Sequence, residues 1–306
     1  CHNHPFAAWK RDQFWQTAAF FVRPRAGNTP AERLAIAIPD TNRSVEPTAI
    51  AGDSVRWPEV WNKLAGKRAF SDWATSPSNP YFARNAANRV WAQLFGLALV
   101  EPLDELGGDA EPVHAELLDD LARSFSRSGF DLRELISAIC RSEAYQRSSR
   151  WPKGRPVPPE PLFARAAVRG LSGEQMFDSL LLAAGNSNRV DKNRDFDARK
   201  EFLDRYREDR PAFAPHSIGR ALLAMNGSLV GKATTVESSR TLKAAIEAPF
   251  LTHAEKVDSL YLATLGRFPS GEERKALSAS LRDENSEALA DLFWALLNSA
   301  EFGTNH

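Results

Sequence analysis

The sequence predicts a mainly α chain: a multi-helical domain, as one body or two pseudo-repeated lobes, behind a small irregular or β N-terminal part. Three observations carry that prediction. Apolar residues recur at helical spacing through most of the chain beyond residue 79. Reciprocal capping pairs at Ser172…Gln175, Thr252…Glu255 and Ser270…Glu273 mark three helix starts. Residues 22–78, by contrast, are broken by Pro, Asn, Asp and Gly into short pieces.

Within residues 1–78, Phe14, Ala18 and Phe21, with Trp15 and Ala19, give a helix over Gln13–Phe21. The apolar pieces Leu34–Ile38 and Thr48–Ile50, bounded by turn formers, predict a small β-hairpin or ribbon. Trp57–Leu64 and Arg68–Trp73 read as short helices, and Ser76–Pro77–Ser78 sets a domain boundary before residue 79.

Residues 79–106 are the stretch the rest is organised around. Asn79 is an N-cap with Pro80 at the first helical position, and Gly96 can take the left-handed conformation that closes a helix. Phe82, Ala86, Val90 and Leu94 form an apolar stripe widened by Trp91 and Phe95. Arg84, Asn85, Asn88 and Arg89 lie beside that stripe rather than on a separate face, and Arg84–Asn88 and Asn85–Arg89 each share a helix edge. Two readings follow. In the first, these groups lock the structure, with Asp104, Glu101 or helix C-terminal carbonyls as partners, since an unpaired buried charge is costly. In the second, Arg84, Asn85, Asn88, Arg89 and Trp91 form a binding patch for an anion or a sugar, with Trp91 as the stacking surface.

Beyond a Gly107–Gly108 loop, His114, Leu117, Leu118, Leu121 and Phe125 predict a helix ended by Gly129. Asp131 with Glu134 opens another, burying Leu132, Leu135, Ile136 and Ile139, with Cys140 as a small core residue. The Pro-rich stretch 148–162 is a connector, giving candidate lobes at 79–147 and 163–306. The first helix after it buries Met176, Phe177, Leu180 and Leu181; a charged loop over 186–199 and a short helix around Phe202, Leu203 and Tyr206 follow. Pro211 and Pro215 frame a loop before a helix capped by Ser217 that carries Ile218, Leu222 and Met225. Two stripes close the chain: Val257, Leu260, Tyr261 and Leu265, then Leu289, Leu292, Phe293, Leu296 and Leu297. Residues 90–96 and 260–266 echo each other, as do ICRSEAY at 139–145 and LLNSAEF at 296–302, which fits a duplicated helical unit.

Asn79–Trp91, Phe95–Gly96, Leu99–Val100–Glu101–Pro102 and Asp104 match a pattern close to NPYFARxxxNRVWAxxFGxGLVxPxDD, with Ala98 in place of a glycine. The chain thereby resembles the C-terminal domain of the planctomycete cytochrome-associated secreted proteins, a domain of unknown function. The likeness continues through Ser142–Tyr145, Met225–Asn226–Gly227 and the closing LNSAEF. Residues 1–21 are similar to that family's CxxCHDHPF segment at Cys1, His2, His4, Pro5, Phe6 and Trp9 and at Ala18–Phe21, with Asn3 in place of Asp. The resemblance makes residues 1–78 the end of the upstream cytochrome-associated domain and residues 79–306 the helical domain of unknown function. It implies an extracytoplasmic location in the periplasm or cell envelope. It also implies cytochrome c domains or other envelope proteins as partners, and a role in polysaccharide use as the competing class.

By the same resemblance Cys1 is the second cysteine of a CxxCH motif, and residues upstream of it are expected because the chain opens on Cys1 rather than Met. His2 is then the axial ligand and Cys1 one thioether anchor of haem c. Other readings stay open: Cys1, His2 and His4 as zinc ligands, a turn whose histidines only hydrogen-bond, or a lipidated N-terminal cysteine.

Lys plus Arg and Asp plus Glu both number 39 in 306 residues, and no basic cluster is interleaved with aromatics, so no nucleic-acid partner is expected. No run of about 18 apolar residues exists to span a bilayer as a helix. Phosphate-loop, dinucleotide, serine-hydrolase and HExxH signatures are missing from the sequence. Asp119–Asp120 and Glu272–Glu273 are adjacent, so a helix points them apart, as solvated faces and caps. Composition alone names no reaction. A purely structural scaffold is therefore the third reading, beside a redox-associated module and a polysaccharide module.

Overall fold

Helix-starting chemistry is met at each of the three capping pairs read from the sequence. Ser172, Thr252 and Ser270 each accept the N–H of the residue three on, and Gln175, Glu255 and Glu273 reach back to the cap N–H. A fourth pair, Thr29…Glu32, does the same within the stretch read as irregular. The computed structural model describes residues 3, 9–50, 55–79, 81–103, 111–186, 194–206, 227–280 and 286–305, with the backbone alone at 194–196 and 278–280. Those residues form 13 α-helices and two small two-stranded sheets, a mainly α fold. Packing divides the chain into two compact units, Cys1–Gln146 and Arg147–His306.

The first unit begins with α1 (Arg11–Ala19), α2 (Pro30–Leu34), β1 (Ile36–Ala37), β2 (Ser44–Val45) and α3 (Ala65–Ala74). Helix α1 starts and stops two residues earlier than its apolar spacing indicates. Phe20, just past its end, is buried with Ala19, while Phe14 and Phe21 stay half-exposed. Gly66 explains how α3 reaches this point: a Cβ there would lie 2.3 Å from the Phe20 carbonyl oxygen, so only glycine permits the approach. The hairpin exists, but Ile36 pairs with Val45 and Ala37 with Ser44, not with Thr48–Ile50. A tight turn sets this register, with Thr41 donating through both N–H and Oγ1 to the Ile38 carbonyl and Ile38 N–H reaching Arg43 O at 2.9 Å. The helix expected over Trp57–Leu64 is not formed. The four-residue spacing of Trp57 and Trp61 instead serves a stack, with Phe20 on Trp57 at 5.9 Å, Trp57 on Trp61 at 5.8 Å and the Arg33 guanidinium over Trp61 at 5.2 Å.

The unit continues with α4 (Phe82–Phe95), α5 (Ala115–Arg127) and α6 (Leu132–Cys140). Leu118, Ala122 and Phe125 are the buried face of α5. Its end is a Schellman motif, with Phe130 N–H on the Phe125 carbonyl, Gly129 N–H on that of Ser126, and Gly129 at φ 71°. Asp131 then caps α6 by accepting from Arg133 and Glu134. Of the four residues expected to be buried on α6, Leu135 and Ile139 are buried; Leu132 and Ile136 are exposed.

The second unit contains a 3-10 turn (Glu160–Leu162), β3 (Arg169–Gly170), α7 (Gly173–Ala183), α8 (Arg194–Tyr206), α9 (Ser228–Ala233) and α10 (Arg240–Glu247). It closes with α11 (His253–Leu265), α12 (Gly271–Ser280), α13 (Ser286–Leu297) and β4 (Thr304–Asn305), β4 pairing antiparallel with β3. Its core gathers Met176 and Phe177 of α7, Leu242 of α10, Leu260 of α11 and Phe293 and Leu297 of α13. The charged segment read as a loop to residue 199 is helical from Arg194. Its polar face is held by Glu201–Arg205 at four-residue spacing and by Arg199, which pairs with Asp178 and lies 5.3 Å over the Phe177 ring. The expected Gly107–Gly108 loop, the Pro211 and Pro215 frame and the Ser217-capped helix lie outside the described residues.

The α11–α12 junction is tied by one side chain. All five N–H groups of Arg267 are used: two on Glu301, two on Glu273 and one on the Phe268 carbonyl, at 2.6–3.1 Å. This fork, with the Ser270 N–H, holds the Glu273 carboxyl at about 2, well below the ordinary 4.5. A depressed carboxyl favours the folded state above its ordinary value, and that contribution is lost as pH falls through about 2. Glu273→Gln should therefore lower thermal stability at neutral pH and flatten its decline between about pH 4.5 and 2, read by melts across that range. Arg267→Lys, which loses the fork geometry, should cost about 1 kcal/mol because the cluster is only half-buried.

Candidate functional site

Helix α4 carries the polar set singled out from the sequence, and its ends are built as the residues indicate. Asn79 Oδ1 accepts the N–H groups of Tyr81 at 2.8 Å and Phe82 at 3.0 Å, while its Nδ2 donates to the Trp73 carbonyl at 3.3 Å. Gly96 adopts φ 81° and donates its N–H to the Ala92 carbonyl, ending the helix. The buried face is rotated by one position from the expected stripe. Ala83, Ala87, Asn88, Trp91, Ala92 and Phe95 face inward, whereas Phe82, Ala86, Val90 and Leu94 sit at the edge. Three of the inward residues are alanines, which a rule seeking large apolar side chains does not anticipate.

That rotation carries Asn88 into the interior with no exposed surface. Its Oδ1 accepts from Leu99 N at 2.9 Å and Val100 N at 3.0 Å, and its Nδ2 donates to the Val100 carbonyl at 3.0 Å. One amide thus satisfies three backbone groups of the segment that returns along α4. Glu101 adds a cap on the same segment, accepting from Ala98 N at 3.0 Å.

The other members spread outward. Arg84 Nε lies 3.2 Å from Asp119 Oδ1, joining α4 to α5. Arg89 Nε donates to Asn85 Oδ1 at 2.8 Å along the exposed edge. Trp91 is stacked on Phe95 with centroids 4.0 Å apart and is 2 % exposed, and Phe95 meets Tyr145 edge-on at 5.7 Å. So Asn88 and Trp91 are interior, while Arg84, Asn85 and Arg89 lie toward solvent, each of the three with an intramolecular contact.

Of the partners the sequence proposed, Glu101 serves the same segment but not the same side chain, and Asp104 lies outside the described residues. Asp119 was readable only as a solvated acid, because its pairing with Arg84 depends on how α5 lies against α4. Asn88's partners are main-chain groups, which no side-chain pattern advertises.

Cys1, His2 and His4 lie outside the described residues. Their neighbour Asn3 is described: its Oδ1 accepts the Arg11 N–H at 2.9 Å, at the start of α1. The Asp that the resembling segment carries there offers the same acceptor oxygen.

Residues 66–217 match the model of a family described as PSD1, protein of unknown function (DUF1553), which identifies a domain of unknown function over just under half of the chain. The matched stretch starts within α3 and includes all of α4–α8. No curated protein and no solved structure matches the chain.

Asn88→Ala leaves two N–H groups and one carbonyl buried without partners and should cost about 3 kcal/mol, measured by chemical denaturation. Arg89→Ala removes only an exposed contact and should change stability by less than about 0.5 kcal/mol. A small effect at Asn88, or a large one at Arg89, would overturn this assignment of roles.

Proposed function

We propose that the chain is a helical assembly module of a secreted, cytochrome-linked envelope protein, working as scaffold beside a c-type haem segment. The observation that carries this reading is the use made of the polar residues on α4. Asn88 commits both its amide oxygen and its amide nitrogen to the 99–100 backbone, and Arg84 and Arg89 contact Asp119 and Asn85. Residues engaged in this way hold a helix hairpin in one geometry, which is what a module that spaces other domains needs.

The cytochrome link is supported by the likeness of the Cys1–Phe6 segment to CxxCHDHPF. A thiol beside an imidazole is a donor set that fits a thioether-linked haem, with His2 as axial ligand, and haem bound there would supply one-electron transfer. The same donors, with His4, fit zinc. A polysaccharide role would draw on an aromatic platform; the patch's own tryptophan, Trp91, is committed to Phe95 and shielded from solvent, which favours the scaffold reading over it.

The test is the visible spectrum, oxidised and reduced, of the protein with its expected upstream residues restored and made in cells able to attach haem c. Split α and β bands in the reduced form that disappear in Cys1→Ser are the expected result. One equivalent of zinc without those bands would replace the haem by a metal-stabilised turn. Neither group would remove the cytochrome link and leave a structural module alone.

A further inference from the structure

The chain is neutral as a whole, but residues 147–170 set Arg147, Arg150, Lys153, Arg155, Arg165 and Arg169 against the single acid Glu160. Within this stretch the Pro-rich connector is a closed loop of the second unit. Its ends are tied together: Ala166 N–H donates to the Ser148 carbonyl at 3.2 Å, Arg147 Nη1 to the Ala164 carbonyl at 2.9 Å and Arg165 Nη1 to the Ser149 carbonyl at 3.4 Å. A turn then reverses the chain, with Arg155 N–H on the Pro152 carbonyl at 3.3 Å and Gly154 at φ 81°. Trp151 Nε1 reaches across that turn to the Pro156 carbonyl at 3.1 Å. On the far side the loop is anchored by Phe163, which is buried.

Between these anchors runs Pro156–Val157–Pro158–Pro159. Each ring fixes φ near −65°, and a residue before a proline is driven to extended backbone. Pro159 shows the result at φ −53° and ψ 139°, close to polyproline II. Three prolines leave Val157 with the one N–H of the four residues, so the run is suited to neither a helix nor a sheet ladder. In a helix of three residues per turn, Pro156 and Pro159 share one ridge and Val157 stands on the next. All three are exposed, Val157 by 59 %, while Pro158 on the third ridge is half-buried. Two ridges therefore face solvent, in a conformation set by the loop.

We infer that Arg155–Pro159 is a docking segment for an aromatic-lined groove with an acidic rim, carried by another polypeptide. Aromatic rings suit the ridges of polyproline II, which present proline rings and bare carbonyls with almost no N–H groups to desolvate. The loop's own Trp151 already places an indole N–H on one of those carbonyls. The acidic rim follows from charge. Arg150, Lys153 and Arg155 are all exposed where the run begins, and Glu160 is the one acid where it ends. Because the fold fixes the segment beforehand, binding is spared the ordering cost that a free Pro-rich chain meets. The segment gives the assembly-module reading a class of partner and rests on that reading, but not on the haem.

The test uses the full chain and, as probe, an isolated SH3 domain whose aromatic groove is rimmed by Asp and Glu. A second form of the domain carries Lys in place of those acids. Calorimetric titration should show saturable binding to the acidic-rimmed domain, about tenfold tighter than to the Lys-rimmed one. It should also be about threefold tighter than binding of a free peptide of residues 148–162, whose backbone is not pinned. Pro156→Ala with Pro159→Ala should weaken it about tenfold with the melting temperature unchanged, and Lys153→Glu with Arg155→Glu should invert the preference between the two domains. Val157→Asp, on the open ridge, serves should the proline variant fail to fold. No saturable binding, binding no tighter than the free peptide's, or binding indifferent to both the proline and the charge variants would overturn the proposal. So would adsorption to phosphatidylglycerol vesicles that the charge variant abolishes and the proline variant leaves intact, since the strip would then be a basic patch for lipid. The haem spectrum is independent of these variants, so a failure here and a failure of the cytochrome link remain distinct.

Discussion

The first unit depends on a single buried amide. Once α4 ends at Gly96, the chain must return along a helix whose inner face is half alanine, and the returning backbone brings polar groups into the interior. Asn88 is the side chain that makes the return tolerable. Three backbone groups find their partners on it, which lets Leu99 and Val100 be buried against α4 rather than looped out. The geometry is demanding in one direction only: an amide offers both an acceptor and a donor at that point, and neither a carboxylate nor an aliphatic side chain does. The rest follows from the path this fixes. Leu99 O then receives Val113 N–H at 3.0 Å, just before α5 begins, and Arg84 can meet Asp119 across the α4–α5 pair.

The second unit solves the corresponding problem with charge. After Gly266 the chain turns on Arg267, whose fork gathers the start of α12 and the turn after α13 on two carboxylates. A neutral buried amide and a half-exposed ion cluster hold similar corners, but they answer to different conditions. Salt and acid reach the Arg267 cluster, because its members keep about a third of their side-chain surface in water. They do not reach Asn88. The two units therefore share a plan without sharing the interaction that secures it.

What the sequence discloses follows the range of each interaction. Caps are local, so Asn79, Ser172, Thr252 and Ser270 could be read in place, as could the left-handed glycines. The α4 inner face was legible only at Trp91 and Phe95, because Ala83, Ala87 and Ala92 carry little apolar bulk to mark them as inward. Trp57 and Trp61 imitated a helical repeat while serving a stack closed at one end by Phe20 and at the other by Arg33. The hairpin's register depended on a turn at Ile38–Arg43 rather than on where the next apolar piece stood. In the candidate site the same limit applies. The polar set on α4 was legible as a group, and the division between a buried Asn88 and a solvent-facing Arg89 was not, since it depends on a rotation of one residue about the helix axis.

Helical spacing also states more than burial does. Leu132 and Ile136 satisfy every local criterion for a core stripe and yet are not covered. Periodicity measures what a helix is prepared to bury, and burial measures what has arrived. On α13, which packs against α10 and α11, the two agree; on α6, which packs against α4 and α5, they differ by two residues. The pattern alone therefore overstates what α6 buries, whereas the polar residues of α4 are engaged within the fold.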